Sequence, residues 1–465
     1  MDLLLTHGYF LNEDVKELQI MKPYPPLGLL YLSSFLKAKG YGVEIFDSTF
    51  KPRVELYRCL QTSTPGLLGI YANLMTRSNV IEIMKTAKTL GWEVILGGPE
   101  PANYSAEYLA AGADAIVVGE GELALEEVLA RRHDKPGDSF AGIKGIVCRD
   151  DQGVTHPAEP LNLIPELDSL PWPDRDGIDI ASYLRTWRTA HGKGSVSLIT
   201  ARGCPYHCRW CSHSVYGKTH RRRTPKAVAD EIEWIRERYS PDILWIADDV
   251  FTINAHWILD FAKEMKNRHL TIPFECITRA DRLNEAVADA LAELECYRIW
   301  IGSESGSQRI LDAMERNVSV EEVRSGVSLC RERGIQTGLF LMWGYQGEEL
   351  SDIEATIDHV KKSGPDVFLT TVAYPIKGTD YYKDVSPSLL APPMWENSSD
   401  RDYTVRGRHS RLYYRFADQL LKNEVALHQA YLNGRNEHSP EVQTLQKEIV
   451  QARDGLAQTH GEVEA

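Results

Sequence analysis

The run Val196-Ser197-Leu198-Ile199-Thr200-Ala201-Arg202-Gly203-Cys204-Pro205-Tyr206-His207-Cys208-Arg209-Trp210-Cys211 passes from an apolar strand through a turn into three closely spaced cysteines. The cysteine pattern is C-x3-C-x2-C. Thiolates hold iron–sulfur clusters, and this close spacing lets one loop wrap three corners of a cube. Three local thiols leave a fourth iron without an obvious protein ligand, and an open metal position is what catalysis needs. The alternatives are a structural zinc site and a cluster completed by a distant cysteine. Zinc sites usually come as paired C-x2-C knuckles. No second knuckle exists here, although His207 and His213 could in principle complete a site.

Helical and strand-like patterns alternate on both sides of this run. Residues 1–135 carry short apolar runs at Leu3–Thr6, Val43–Phe46, Leu67–Tyr71, Val94–Leu96 and Ala115–Val118, separated by stretches of helical periodicity. Strands spaced by helices predict a parallel, doubly wound sheet. Gly97-Gly98-Pro99 and Gly119-Glu120-Gly121 follow its last two strands, where such sheets bind ligands. Residues 136–190 read as a connector containing a hairpin-like pattern around Asp150-Asp151-Gln152-Gly153. Residues 191–385 hold six further strand candidates: Val196–Thr200, Ile243–Ala247, Phe274–Thr278, Arg298–Ile301, Thr337–Met342 and Val367–Thr371. Helical stretches lie between them, Pro225–Arg238 with Thr224 as its cap among them. Six such units predict a partial (β/α)6 barrel with its chemistry just after the strands. Residues 386–465 read as a helical extension. Its last thirty residues are polar, without a strong apolar stripe, and are expected to be loosely packed or disordered.

Bulk properties narrow the function. The chain has 465 residues, of which 43% are hydrophobic and 25% charged, a globular balance. Its formal net charge of -14 argues against nucleic acid as a partner. Arg221-Arg222-Arg223 is one local basic patch, read either as an anion site or as a solvated turn. Of eight cysteines, Cys59, Cys148, Cys276, Cys296 and Cys330 are scattered and read as small buried hydrophobes. Met1–Thr6 lacks the basic region of a signal peptide, and no run reaches the ~18 apolar residues of a spanning helix. A cytoplasmic location follows as the expectation, with peripheral membrane contact left open.

The three-cysteine motif resembles that of the radical S-adenosylmethionine (SAM) superfamily, with aromatic Trp210 before the last cysteine and the motif after the first barrel strand. The resemblance implies a [4Fe–4S] cluster on Cys204, Cys208 and Cys211, with SAM chelating its open iron. One electron from the cluster would then break a sulfonium–carbon bond of SAM to generate a radical. A reductase, flavodoxin or ferredoxin is the implied electron donor. Further segments extend the resemblance. Asp248-Asp249 follows the second barrel strand, where the family places polar residues for the SAM amino group; which of the two serves stays open. Ile301-Gly302-Ser303-Glu304-Ser305-Gly306 resembles a family Gly-x-Glu-Ser-Gly segment, placing Glu304 and Ser305 near SAM. Arg279 is a candidate partner for the SAM carboxylate or, alternatively, for Asp281. Gly344-Tyr345-Gln346-Gly347-Glu348 resembles a Gly-x-Pro-Gly-Glu loop, with Gln346 in place of proline.

The N-terminal half resembles the cobalamin-binding domain of one large subclass. The segments concerned are 23–32, Leu96-Gly97-Gly98-Pro99-Glu100 and Val118-Gly119-Glu120-Gly121-Glu122. The resemblance implies cobalamin as a third cofactor, with Gly97, Gly98, Gly119 and Gly121 letting the backbone approach it. The Asp-x-His-x-x-Gly motif that supplies a cobalt ligand in many methyltransferases is absent. The implied arrangement therefore has no histidine on cobalt; His7, near the first strand end, reads as an ordinary polar loop residue. Three activities remain: methyl transfer to an unactivated carbon or phosphorus of a small-molecule or lipid substrate, a radical cyclisation or rearrangement like that of the anaerobic porphyrin-ring cyclases, and a non-catalytic cofactor-binding role. A methylthiotransferase is disfavoured, because only Cys59 and Cys148 precede the main motif. No catalytic residue beyond the cofactor sites is readable.

Overall fold

The computed structural model describes residues 1–150, 152–390 and 394–464. Asp151, in the expected hairpin turn, and residues 391–393, at the Pro-rich start of the tail, lie outside the described residues. The first sheet contains β1 (Leu3–His7), β2 (Val43–Phe46), β3 (Leu67–Tyr71), β4 (Glu93–Gly97), β5 (Ala115–Val117), β6 (Ile146–Arg149) and β7 (Thr155–His156). Their spatial order is β2-β1-β3-β4-β5-β6-β7, with β1 to β5 parallel and β6 and β7 antiparallel. The near-continuous apolar runs of β1 and β3 suit strands covered by helices on both faces. Winding reverses between β1 and β3, which opens a crevice beyond their carboxyl ends. The hairpin β6–β7 belongs to the segment read as a connector, and it extends this sheet at one edge.

After the connector come β8 (Ser195–Leu198), β9 (Ala201–Arg202), β10 (Arg221–Arg222), β11 (Ile243–Ile246), β12 (Phe274–Thr278), β13 (Cys296–Glu304), β14 (Gln336–Trp343) and β15 (Val367–Val372). Six of them form an open parallel sheet in the order β8-β11-β12-β13-β14-β15, the expected partial barrel. Helices pack their apolar faces on its outside. In Pro225–Tyr239, Thr224 Oγ1 accepts from the Ala227 N–H at 3.2 Å, and Val228, Ile232 and Ile235 are buried. Such caps contribute about 1 kcal/mol, but burial of the apolar stripe contributes more. The remaining pair, β9 and β10, is a two-stranded antiparallel ribbon, and the cysteine loop is the connection between its strands.

That ribbon is ion-paired to the first sheet. Glu120, just past β5, accepts from Arg202 at 2.9 Å, from Arg221 at 2.9 and 3.0 Å, and from the Ile164 N–H at 3.0 Å. Glu122 accepts from Arg202 at 2.6 Å. The four side chains are at most 13% exposed. The connector adds Tyr183 to Asp47 at 2.8 Å on one side and the Arg175–Glu231 ion pair at 2.6 Å on the other.

The tail departs from expectation. Arg411–Leu432 and Pro440–Thr459 form two packed helices that cover β14 and the helix Leu350–Ser363. Val442, Ile449, Ala452 and Leu456 are buried, at spacings of seven, three and four. This is a narrow seam of the coiled-coil kind, which a search for a broad apolar face overlooks. Gly455 lies under the Phe416 ring, where a Cβ would come within 2.5 Å. No helix among the described residues is long and apolar enough to cross a membrane.

Removing Glu120 would take the one carboxylate from largely buried Arg221 and leave Arg202 with Glu122 alone, so Glu120→Ala is expected to cost about 3–5 kcal/mol in urea unfolding. Burial opposes ionisation of Glu120, but Arg221 and Arg202 outweigh it and hold the carboxyl below its usual range. Because the folded value is depressed, this stabilisation is complete above the unfolded value of about 4.3 and is lost as the pH falls further. The Glu120→Ala and wild-type stabilities should therefore converge on acidification. A constant difference from pH 7 to pH 3 would show that the stabilisation does not come from the ionised carboxylate.

Candidate active site

One cavity of about 1140 Å³ lies between the two sheets, above the usual range of roughly 300–1,000 Å³ for small-molecule sites. Its floor is the carboxyl edge of the first sheet, at the ends of β1, β3, β4 and β5. Gly97, Gly98, Gly119 and Gly121 all line it. Gly98 has a φ of 112° and Gly119 a φ of 87°, and a Cβ on Gly98 would lie 2.3 Å from the Ala72 carbonyl oxygen. At those two positions the loops need glycine; Gly97 and Gly121 carry no such backbone demand. The opposite wall contains Cys204, Cys211 and Asp249. Both sheets thus meet around one space, and a bulky planar ligand resting on the glycine loops would face the cysteine loop.

The cysteine loop is fixed at several points. Gly203, φ 87°, starts it, and a Cβ there would meet the Thr219 carbonyl oxygen at 2.4 Å. Cys211 N–H donates to the Cys208 carbonyl at 3.1 Å, the Arg209 N–H to Met314 at 3.2 Å, and the Tyr381 N–H to Arg209 at 2.8 Å. Trp210 packs against the cluster of Ile310, Met314 and Tyr345. The three thiols share this loop as near neighbours, and no group of three ligand side chains among the described residues forms a ready single-ion site. A cubane needs its thiolates spread over three corners, and a loop with Cys204 and Cys211 lining a large cavity and Cys208 set against Arg279 and Arg316 suits a cluster. Cys211 is the most exposed of the three, yet its surroundings disfavour the bare thiolate: burial of the sulfur and the neighbouring Cys208 and Cys204 push its thiol up to about 12.

The two aspartates after β11 differ sharply. Asp248 is buried and accepts from the N–H groups of Thr200 and Ala201 at 2.7 and 3.0 Å, from the Thr200 hydroxyl, and from Arg222 at 3.4 Å. It pins the turn that launches the cysteine loop. Asp249 makes no hydrogen bond among the described residues and faces the cavity. Ser305 is likewise engaged, bonded to Thr356 at 3.2 Å and accepting from the Ser307 N–H at 3.1 Å. Arg279 is not a surface residue. It is 2% exposed, and it donates to Asp281 at 2.9 Å and to the Arg316 carbonyl at 2.9 Å. These anchors leave it no free edge for a ligand carboxylate.

Glu304 ends β13 at a register shift against β14, with φ 61°. A left-handed glutamate at a bulge is the kind of backbone feature that collects at functional sites. Burial pushes its carboxyl up, against Arg316 and Arg279; the Arg316 Nε lies 3.9 Å away. It stands on the barrel side of the cysteine loop. Arg316 itself is invisible to sequence reasoning: nothing in Met314-Glu315-Arg316-Asn317 marks it, and only the positive φ of Glu315 and Asn317 shows the tight turn that aims it inward. The Arg221–Arg223 patch proves structural. Arg221 serves Glu120, Arg222 lies over Trp257 at 3.7 Å, and Arg223 pairs with buried Glu231. His7 lines the cavity with both ring nitrogens engaged, by Asp47 at 3.0 Å and by Ser48 at 3.0 Å. In the loop after β14, Glu348 accepts from the Gly344 N–H at 2.6 Å, and burial pushes its carboxyl up to about 8.

Comparison with known proteins agrees with both halves of this geometry. Residues 198–360 match the radical SAM superfamily, and residues 19–129 match the B12 binding domain. The chain is 28% identical to an uncharacterized methyltransferase of Pyrococcus horikoshii, covering 83% of this chain and 84% of that one. It is 25% identical to the anaerobic magnesium-protoporphyrin IX monomethyl ester cyclase of Rubrivivax gelatinosus, over 80% of this chain and 68% of that one. Its fold resembles that of the radical SAM methyltransferase TsrM of Kitasatospora setae, solved with cobalamin and a [4Fe–4S] cluster, with a TM-score of 0.69 at 21% identity over 85% of this chain and 78% of that one. The glycine-floored cavity walled by a three-cysteine loop is thus the meeting place of two recognised modules: the chain is a radical SAM enzyme that carries a B12 binding domain ahead of its radical SAM domain.

Proposed function

We propose that this enzyme moves a methyl group from SAM, by way of cobalamin, to an unactivated carbon or phosphorus of a small-molecule or lipid substrate. One observation carries the reading: Cys204, Cys211 and Asp249 of the radical SAM domain wall the same cavity that Gly98 and Gly119 of the B12 binding domain floor. When bound, the cluster supplies an electron to SAM, and cobalamin carries methyl groups. The rest is work for the chain. Cys204, Cys208 and Cys211 hold three irons. Asp249 accepts hydrogen bonds from the SAM ammonium, and Glu304 binds from the barrel side. Asp248 and Ser305 serve as supports rather than contacts. Gly97, Gly98, Gly119 and Gly121 admit the corrin against backbone, and His7, tied to Asp47 and Ser48, offers cobalt no free ring nitrogen. The buried ion pairs of Arg202 with Glu120 and Glu122 line one side of the cavity.

The domain limits that suit this reading are residues 1–135 for cobalamin, 136–190 for the connector, 191–385 for the barrel and 386–465 for the tail. A flavodoxin- or ferredoxin-type donor in a cytoplasmic setting completes it; all eight cysteines are free, which suits a reducing compartment. Likeness to a ring cyclase keeps a radical cyclisation as the second reading.

Three outcomes test these assignments. Anaerobically reconstituted enzyme should bind about four irons and release 5'-deoxyadenosine from SAM, and Cys208→Ala should abolish both; retention of either removes that cysteine from the ligand set. Asp249→Asn should weaken SAM binding by roughly 1.5–3 kcal/mol with an unchanged melting temperature. Asp248→Asn should do the reverse and lower stability by about 1–3 kcal/mol, because backbone donors lose a charged acceptor; equal effects from the two would erase the distinction drawn between them. With methyl-labelled SAM, cobalamin and a strong reductant, label should appear on the corrin, whereas label confined to SAM and methionine favours cyclisation.

A further inference from the structure

Two buried cations point at one of the three cysteine sulfurs. Arg279 Nη1 lies 3.7 Å and Arg316 Nη1 3.6 Å from Cys208 Sγ. No side-chain donor makes such a contact to Cys204 or Cys211 among the described residues. Both arginines are buried and anchored at their other nitrogens. Arg279 is held by Asp281 and the Arg316 carbonyl, and it lies over the Tyr206 ring at 3.7 Å; Arg316 donates to the Gly302 carbonyl at 2.9 Å. Neither can swing away from the sulfur without breaking those bonds. Their charge is only partly met by carboxylates: Asp281 pairs with Arg279, while Glu304 stays 3.9 Å from an Arg316 Nε that has no hydrogen-bond partner.

We propose that Arg279 and Arg316 are positioning residues that raise the reduction potential of the cluster by donating together to the Cys208 thiolate. The proposal rests on the reading of the three cysteines as cluster ligands. Reduction adds one electron, supplied by a flavodoxin- or ferredoxin-class donor, to a cluster already made negative by thiolates; no proton or bond changes partner. Hydrogen bonds to the sulfurs and nearby positive charge stabilise the more negative state. Burial keeps salt and water from screening the two guanidiniums. The arrangement is one-sided: Cys208 carries the cationic support, and the two sulfurs that wall the cavity are left free of it. Arg279 therefore acts on the cluster through Cys208 rather than on the SAM carboxylate.

The test compares full-length wild type, Arg316→Gln and Arg279→Lys with Lys218→Gln, which removes a cation of the same loop that touches no thiol. Each is reconstituted anaerobically, its iron is counted, and its midpoint is read by electron paramagnetic resonance during a redox titration without SAM. All four should hold about four irons. In Arg316→Gln the one-electron reduction should become at least tenfold less favourable, a shift of about 59 mV to more negative potential. Arg279→Lys should shift in the same direction and Lys218→Gln should not move. If Arg316→Gln fails to retain iron, Arg316→Lys carries the comparison, with a negative shift expected there too. Iron-replete Arg316 variants with the wild-type midpoint would overturn the inference and leave the cluster reading standing. A wild type that assembles no four-iron cluster would overturn both.

Discussion

Glu120 stands between Arg202 and Arg221, and that buried pairing, with the Ser214 hydroxyl donating to the Pro99 carbonyl at 2.6 Å, joins the ribbon that carries the cysteine loop to the first sheet. Each sheet has its own core and needs no help from the other to bury its apolar faces. Nothing about either core dictates that the glycine loops of the first should face the cysteine loop of the second. The ribbon β9–β10 settles this. It carries Arg202 and Arg221 on its two strands and the cysteine loop at its far end, so pairing both arginines to the loop after β5 aims the cysteines at the cavity. Buried ion pairs are often weak contributors to net stability, since desolvation offsets attraction. Their value here is directional: the acid and its two partners are satisfied in only one register of ribbon on sheet.

The same economy runs through the surroundings of the cysteine loop. Asp248 pins the turn entering the loop, the backbone of Arg209 is clipped to Met314 and Tyr381, and Arg279 and Arg316 stand behind it. Two groups there lack hydrogen-bond partners among the described residues: Asp249, which lines the cavity with Cys204 and Cys211, and Glu304, buried beside Arg316. An active site is recognisable by this contrast between saturated supports and unsatisfied polar groups, because unpaired groups of that kind are costly unless a ligand meets them.

Much of this is legible from residue order alone. Alternating runs such as Leu67–Tyr71 and Val94–Leu96 mark parallel strands because covered strands must be apolar on both faces, and the three-cysteine spacing is local, so it survives without tertiary knowledge. The Asp248-Asp249 pair is legible as a site but not as two roles: adjacent residues point in opposite directions, and which one meets the Thr200 and Ala201 amides depends on the strand beside it. For Arg279 the pairing with Asp281 is legible but the contacts with Arg316 and Cys208 are not, since both are distant along the chain. The packing of the Pro440–Thr459 helix is hidden because its seam is narrow and includes Gly455 and Thr459, and the polar residues around it dominate any average.

Cobalamin and the cluster share one cavity in this account. The most direct measurement is the spin relaxation of cob(II)alamin bound to anaerobically reconstituted enzyme, recorded with the cluster oxidised and then reduced. A shared cavity predicts a marked acceleration of the cobalt relaxation when the cluster becomes paramagnetic, lost in Cys208→Ala. A bound corrin that relaxes identically in both states would place the two cofactors apart and contradict the account.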